Sequence, residues 1–140
     1  MNNRSISDLL KGHEKVLLAD DNSELRKMIL KLLSQLGYDV ISVNDGTEAL
    51  QMPEEELRTV ELVITDVVMP NIGGIELISS LRERYPKIKG LLISGYPSPT
   101  FRHTSILNES TVFLHKPFRP IELATRVREL LDRGELPGQK

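Results

Sequence analysis

The chain has 140 residues and contains neither cysteine nor tryptophan. Without cysteine, disulfides and thiolate metal sites are excluded. No charge of one sign dominates either. Eighteen basic side chains against 20 acidic ones leave a net charge of −2, which gives the surface no general attraction for a nucleic-acid backbone and argues against direct nucleic-acid binding. Long apolar runs are missing as well: the longest extend for a few residues, far short of the roughly 20 needed to cross a bilayer. Residues 1–15 hold no continuous apolar stretch of signal-peptide length. A soluble, cytoplasmic protein with no membrane partner is the expectation. The phosphate-binding patterns G-x-G-x-x-G and G-x-x-x-x-G-K-[ST] are absent. A hydrolase elbow would need glycine two residues before Ser94, where Leu92 stands. With no ATP-binding segment and no paired kinase helices, the chain is not expected to work as an enzyme that draws phosphate from ATP.

What is present is a regular alternation. At this length one core is expected, without a separate output module. Residues 1–13 read as a polar N-terminal extension in which Ile6, Leu9 and Leu10 can form a helical turn; 14–133 read as the domain and 134–140 as a tail. Short apolar runs at Val16 to Ala19, Val40 to Val43, Leu62 to Thr65, Leu91 to Ser94 and Val112 to Leu114 look like buried parallel strands. Amphipathic stretches lie between them. The first runs to about Leu36, is capped by Asn22 or Ser23 and is stopped by Gly37. A short helix through Ala49 and Leu50 is limited by Pro53, and Glu54 to Glu56 form a solvated connection or a helical turn. Further helices are predicted over Ile75 to Arg84 and from about Pro120 to Leu131. After the fourth strand, Gly95-Tyr96-Pro97-Ser98-Pro99 predicts a short or poorly ordered helix. Five strands alternating with helices predict a doubly wound α/β domain with helices on both sheet faces.

In such a sheet, ligands bind beyond the carboxyl ends of the strands. Asp20 and Asp21 follow the first strand, Asp66 the third and Lys116 the fifth, while Ser94 ends the fourth. Three carboxylates brought together repel one another by ~1 to 4 kcal/mol per close pair, so a cation must compensate. Oxygen ligands suit Mg²⁺, which takes one or two carboxylates and keeps its waters. One carboxylate is then left to act as a nucleophile toward phosphorus. Taken singly, each of these residues reads as a turn or cap residue; the joint placement is what argues for a site. His13, His103 and His115 are read as incidental, although His115 borders the site.

The set Asp20-Asp21, Ile64 to Pro70 with Gly74, Ile93-Ser94-Gly95 and Lys116-Pro117-Phe118 resembles the receiver domain of bacterial response regulators over about residues 14–133. The resemblance implies a flavodoxin-like five-stranded sheet in the order 2-1-3-4-5. It implies that Asp66 is phosphorylated from a histidine kinase or phosphotransfer protein, with Mg²⁺ held by Asp20, Asp21, Asp66 and the Val68 backbone carbonyl. Ser94 and Lys116 would hold phosphoryl oxygens, and Val68 and Tyr96 would flank the approach of hydrolytic water. Ser94 and Phe113 would form the switch that alters the face made by the fourth helix, fifth strand and fifth helix, the face through which a homodimer would form. Phe113 stands where tyrosine is more usual and, read by itself, is a core residue. The Ile93 to Pro97 segment is similar to that of receivers attached to hybrid kinases. The family also implies a cis bond before Pro117, where the residues alone favour trans. The alternative is a pseudo-receiver, a binding module with the same fold that is never phosphorylated.

Overall fold

The computed structural model describes residues 6–95 and 110–133. Within them five strands, β1 (Lys15–Ala19), β2 (Asp39–Val43), β3 (Leu62–Asp66), β4 (Lys89–Ser94) and β5 (Thr111–His115), form one sheet in the order β2-β1-β3-β4-β5. Every neighbouring pair is parallel. This is the predicted doubly wound, flavodoxin-like arrangement. The helices described are α1 (Ile6–Leu9), α2 (Ser23–Gln35), α3 (Gly46–Leu50), α4 (Glu54–Leu57), α5 (Gly74–Arg84) and α6 (Pro120–Arg133). The helix expected after the fourth strand falls outside the described residues.

The continuous apolar runs of the central strands are explained by burial on both faces. Alternate residues supply two separate cores. Val16, Leu18, Leu62, Ile64, Leu91 and Ile93 face α2 and α6, where Ile29, Leu33, Leu123, Val127 and Leu130 meet them. Leu17, Ala19, Val63 and Leu92 face the other way, against Ala49, Leu57, Leu77, Ile78 and Leu81 of α3, α4 and α5. Each fully buried Leu or Ile contributes on the order of 1.5–3 kcal/mol by leaving water, so the two layers supply most of the force that aligns the strands. Gly90 lets α5 approach β4, because a Cβ there would lie 2.6 Å from Ile78 Cδ1.

Local chemistry sets the ends of the elements. The Asn22 side chain accepts the Leu25 N–H at 3.0 Å and caps α2. Gly37 stops that helix with φ +103°, and its backbone presses against the Gly12 carbonyl where no Cβ would fit. Asp45 caps α3 by accepting the Glu48 N–H at 2.9 Å, while the Glu48 carboxylate accepts the N–H of Asn44, the residue before the cap, at 2.7 Å. Of the two readings of the acidic Glu54 to Glu56 run, the helical turn is the one observed. Leu57 is buried beneath it, and Glu56 pairs with Lys15 at 2.8 Å.

The extension makes contacts of its own. Its predicted helical turn is α1, and Leu10 packs on the α2/α6 layer. The Arg128 guanidinium of α6 donates to the Lys11 carbonyl (2.9 Å), the Tyr38 hydroxyl (3.0 Å), Asp132 Oδ1 (2.9 Å) and Glu14 Oε2 (2.6 Å). Glu14 is only 3% exposed. Burial, the largest influence on its carboxyl, opposes ionisation. The Arg128 hydrogen bonds, nearby backbone N–H groups and the Arg128 charge together outweigh it and hold the group at about 2.

Arg128→Ala is therefore expected to cost about 3 kcal/mol or more in urea unfolding at pH 7, since it leaves a carboxylate buried without its partner. Because the folded value lies below the ordinary 4.5, the stabilisation is complete above pH 4.5 and fades as pH falls toward 2. The stability gap between wild type and Glu14→Gln should shrink across that window. A gap indifferent to acid would refute the pairing.

Candidate functional site

Parallel alignment brings the carboxyl ends of all five strands to one edge, and that edge carries the predicted residues. Ladder bonds extend past the strands to place them: Val67 N–H donates to the Ile93 carbonyl (2.8 Å) and Lys116 N–H to the Ser94 carbonyl (2.8 Å). The second bond carries the end of β5 across the end of β4. Lys116 Nζ then reaches Asp66 Oδ2 at 2.7 Å. The other oxygen of Asp66 accepts the Val68 N–H at 3.1 Å, and the Thr65 hydroxyl donates to its backbone carbonyl at 3.1 Å. Asp66 and Ser94 are both buried. The bond between Lys116 and Pro117 is cis, as the family resemblance implies.

Behind Asp66 the chain runs from Met69 through the breaker-rich Pro70-Asn71-Ile72-Gly73 stretch to the start of α5 at Gly74. Met69 is buried, with its sulfur 3.6 Å from the Thr65 hydroxyl, and Asn71 takes φ 70°. Gly74 starts α5 against the Asp66 carbonyl, where any Cβ would collide, and its N–H closes the loop onto the Val67 carbonyl at 2.9 Å. Val68 is left 63% exposed at the rim.

The two acids after β1 are placed differently. Asp20 is fully buried: its Oδ1 accepts the Asn22 N–H at 2.8 Å, its carbonyl accepts Arg26 Nη1 at 2.6 Å, and its Oδ2 is buried with no hydrogen-bond partner among the described residues. Burial raises the Asp20 carboxyl above its ordinary range. The Asn22 N–H and the Lys116 charge pull it down, whereas Asp66 and Asp21 push it up. Asp21 is exposed. Among the described residues no three acidic or histidine side chains stand grouped as a ready-made metal cage. An orphaned buried carboxylate oxygen beside two further acids nevertheless fits a hard cation that brings its own waters.

Phe113 is half-buried against the α3/α5 layer and meets the His115 ring edge-on, with centroids 4.7 Å apart and planes at 85°. Its role as a core residue is thus visible. Of the expected switch face, β5 and α6 are described, while its fourth-helix part and Tyr96 lie outside the described residues. Arg26 was not singled out from sequence, and Thr65 entered only as a member of the Ile64 to Pro70 run; the bonds through which the two tie the site together leave no mark in the sequence. An open cleft of about 870 Å³ lined by Arg58, Tyr85 and Lys87 lies at the opposite, amino-terminal edge of the sheet and contains none of the site residues.

Residues 16–128 match the model of the response regulator receiver domain. The chain belongs to that family. This receiver is 37% identical over 126 residues to the sensor kinase CckA of Brucella abortus (strain 2308), covering 90% of this chain but 13% of the kinase. It is 30% identical over 118 residues to the response regulator receiver protein CpdR of the same organism, covering 84% of this chain and 97% of that protein. The chain thus spans a small fraction of one relative and nearly all of another. The receiver also superposes on the chemotaxis protein CheY4 of Vibrio cholerae with a TM-score of 0.75 and 29% identity, over 85% of this chain and 99% of that one. Among the described residues no helix is long and apolar enough to cross a membrane.

The receiver's buried, half-satisfied Asp20 carries a prediction. Asp20→Asn keeps the Oδ1 acceptor but removes a charge from a crowded acidic site, so in EDTA it should raise the unfolding free energy by about 1 kcal/mol. Urea denaturation reads this directly, and a destabilised variant would mean that the carboxylate is compensated by a partner other than those described.

Proposed function

We propose that this receiver accepts a phosphoryl group on Asp66 from the phosphohistidine of a histidine kinase or phosphotransfer protein. The observation that carries the reading is the Lys116–Asp66 pair at 2.7 Å beside a buried Asp20 oxygen that has no hydrogen-bond partner among the described residues. An Asp66 carboxylate oxygen bonds to phosphorus as the donor's P–N bond breaks, and the imidazole leaves with the electron pair. Lys116, already at the carboxylate, shifts to a phosphoryl oxygen, and the Ser94 hydroxyl donates to another. Catalysis here is positioning and charge neutralisation rather than covalent participation by further groups. Asp20, Asp21 and the Val68 carbonyl, with Asp66, are the residues that would hold Mg²⁺. When bound, the ion neutralises charge on the transferring group.

The acyl phosphate carries roughly −1.5 to −2 charges where the carboxylate carried about −1, and places them further out, beside Lys116 and Ser94. Drawing both toward it opens room for Phe113 and alters the face that includes β5 and α6. That face is where a downstream protein, or a second copy in a homodimer, would dock. The sensor-kinase relatives support a kinase-linked setting for the domain, and a cytoplasmic location is proposed with it. The domain passes a signal on and does not turn over an external substrate.

Intact-protein mass spectrometry after incubation with Mg²⁺ and acetyl phosphate tests the proposal. Wild type should gain one phosphoryl group, about 80 Da, and Asp66→Asn should gain none. Equal labelling of both removes Asp66 from its role. No gain in either, with Mg²⁺ binding measured separately, favours a pseudo-receiver that acts by binding alone. Lys116→Ala should remain folded yet lose the amide shift changes at β5 that beryllofluoride induces in wild type; identical changes in both would detach Lys116 from the switch.

A further inference from the structure

The loop between β1 and α2 is held from one side by a residue that none of the proposed chemistry uses. Arg26 lies in the first turns of α2, and its half-buried side chain turns back toward the helix start. A cation there sits at the positive end of the helix dipole, the less favourable end, so something local must favour the placement. Its Nη1 donates to the Asp20 carbonyl at 2.6 Å, and its own backbone N–H donates to the Asn22 carbonyl at 2.9 Å. The Asp20 carbonyl belongs to the peptide plane that also carries the Asp21 nitrogen. Fixing that oxygen therefore fixes the direction in which the chain leaves toward the exposed Asp21 carboxylate. The other polar atoms of Asp20 are tied as well: its N–H to the Val43 carbonyl at 3.3 Å and its Oδ1 to Asn22 at 2.8 Å. Among the described residues Oδ2 alone of these atoms is without a partner, and it lies where the cation is proposed to bind.

We propose that Arg26 is a positioning residue for the acid pair, aiming the Asp20 and Asp21 carboxylates by holding the peptide between them and so setting the receiver's affinity for Mg²⁺. It acts through geometry rather than as a counter-charge. The side-chain charges that chiefly move the Asp20 carboxyl are those of Asp66, Lys116 and Asp21, and a guanidinium acting by charge alone would compete with the metal. The two roles predict opposite signs, which makes them separable. The inference rests on the Mg²⁺ site proposed above.

With no tryptophan to report binding, Mg²⁺ is titrated by calorimetry and by two-dimensional amide spectra, without phosphodonor, into wild type, Arg26→Ala and Arg26→Lys. Losing one hydrogen bond to a charged donor should weaken binding about tenfold in the alanine variant. Lysine, which keeps the charge and one donor, should recover part of the loss, with spectra that show an intact fold in each. Unchanged or tighter binding by Arg26→Ala overturns the proposal, the tighter case identifying a counter-charge. If the alanine variant does not fold, Arg26→Gln replaces it: weaker binding supports the inference and wild-type affinity overturns it. A wild type that binds no Mg²⁺ would instead remove the metal site itself, and the inference with it.

Discussion

Asp20 is a carboxylate placed where water cannot reach it, beside other acids, and only half of it is satisfied among the described residues. The rest of the site can be understood as the set of arrangements that make this tolerable. A parallel sheet buried on both faces supplies the rigidity, since its strands cannot slip without exchanging one apolar layer for the other. The N-terminal end of α2 is tied to the acid through Asn22 and Arg26, and Lys116 brings a positive charge across from the far strand. An ordinary protein interior would not retain such a group. Its retention is physically sensible if a cation arrives there as part of the domain's work.

Comparison with Glu14 sharpens the point. That carboxylate is equally deep, but every influence that could favour its ionised form is present, and the result is a group held at about 2 by Arg128 and backbone N–H donors. One buried acid is closed and structural. The other is open and raised by burial. The two lie at opposite ends of β1, so one strand connects the domain's fastening to its chemistry.

Much of this was legible in the sequence because strands buried on both faces write continuous apolar runs, and the residues that follow those runs are forced to one edge. Asp20, Asp66, Ser94 and Lys116 could be placed together on that ground alone. Strand and helix ends moved by a residue or two, as at Lys15, Lys89 and Arg133, where polar side chains continue an element at its boundary. The different fates of Asp20 and Asp21 could not be read, because neighbouring identical residues separate only once the backbone's turn is known. Arg26 and Thr65 act through side-chain bonds to backbone carbonyls, and Arg128 through several side-chain bonds, most of them to residues distant in sequence. Such bonds leave no periodic trace. The collision that a side chain at position 74 would make with the Asp66 carbonyl is likewise invisible until the loop is folded back on the strand.

The hold of Arg128 on Lys11, Glu14 and Tyr38 bears on how the molecule would carry a mechanical load. A tether, surface linker or fused partner attached ahead of α1 would pull through the Lys11 carbonyl onto the last helix, at the amino-terminal edge of the sheet and away from the phosphoryl edge. Force applied there would be felt along α6 before it disturbed Asp66. Immobilising the protein by that end therefore leaves the acidic edge clear, at the risk of biasing the helix whose displacement an experiment would aim to follow.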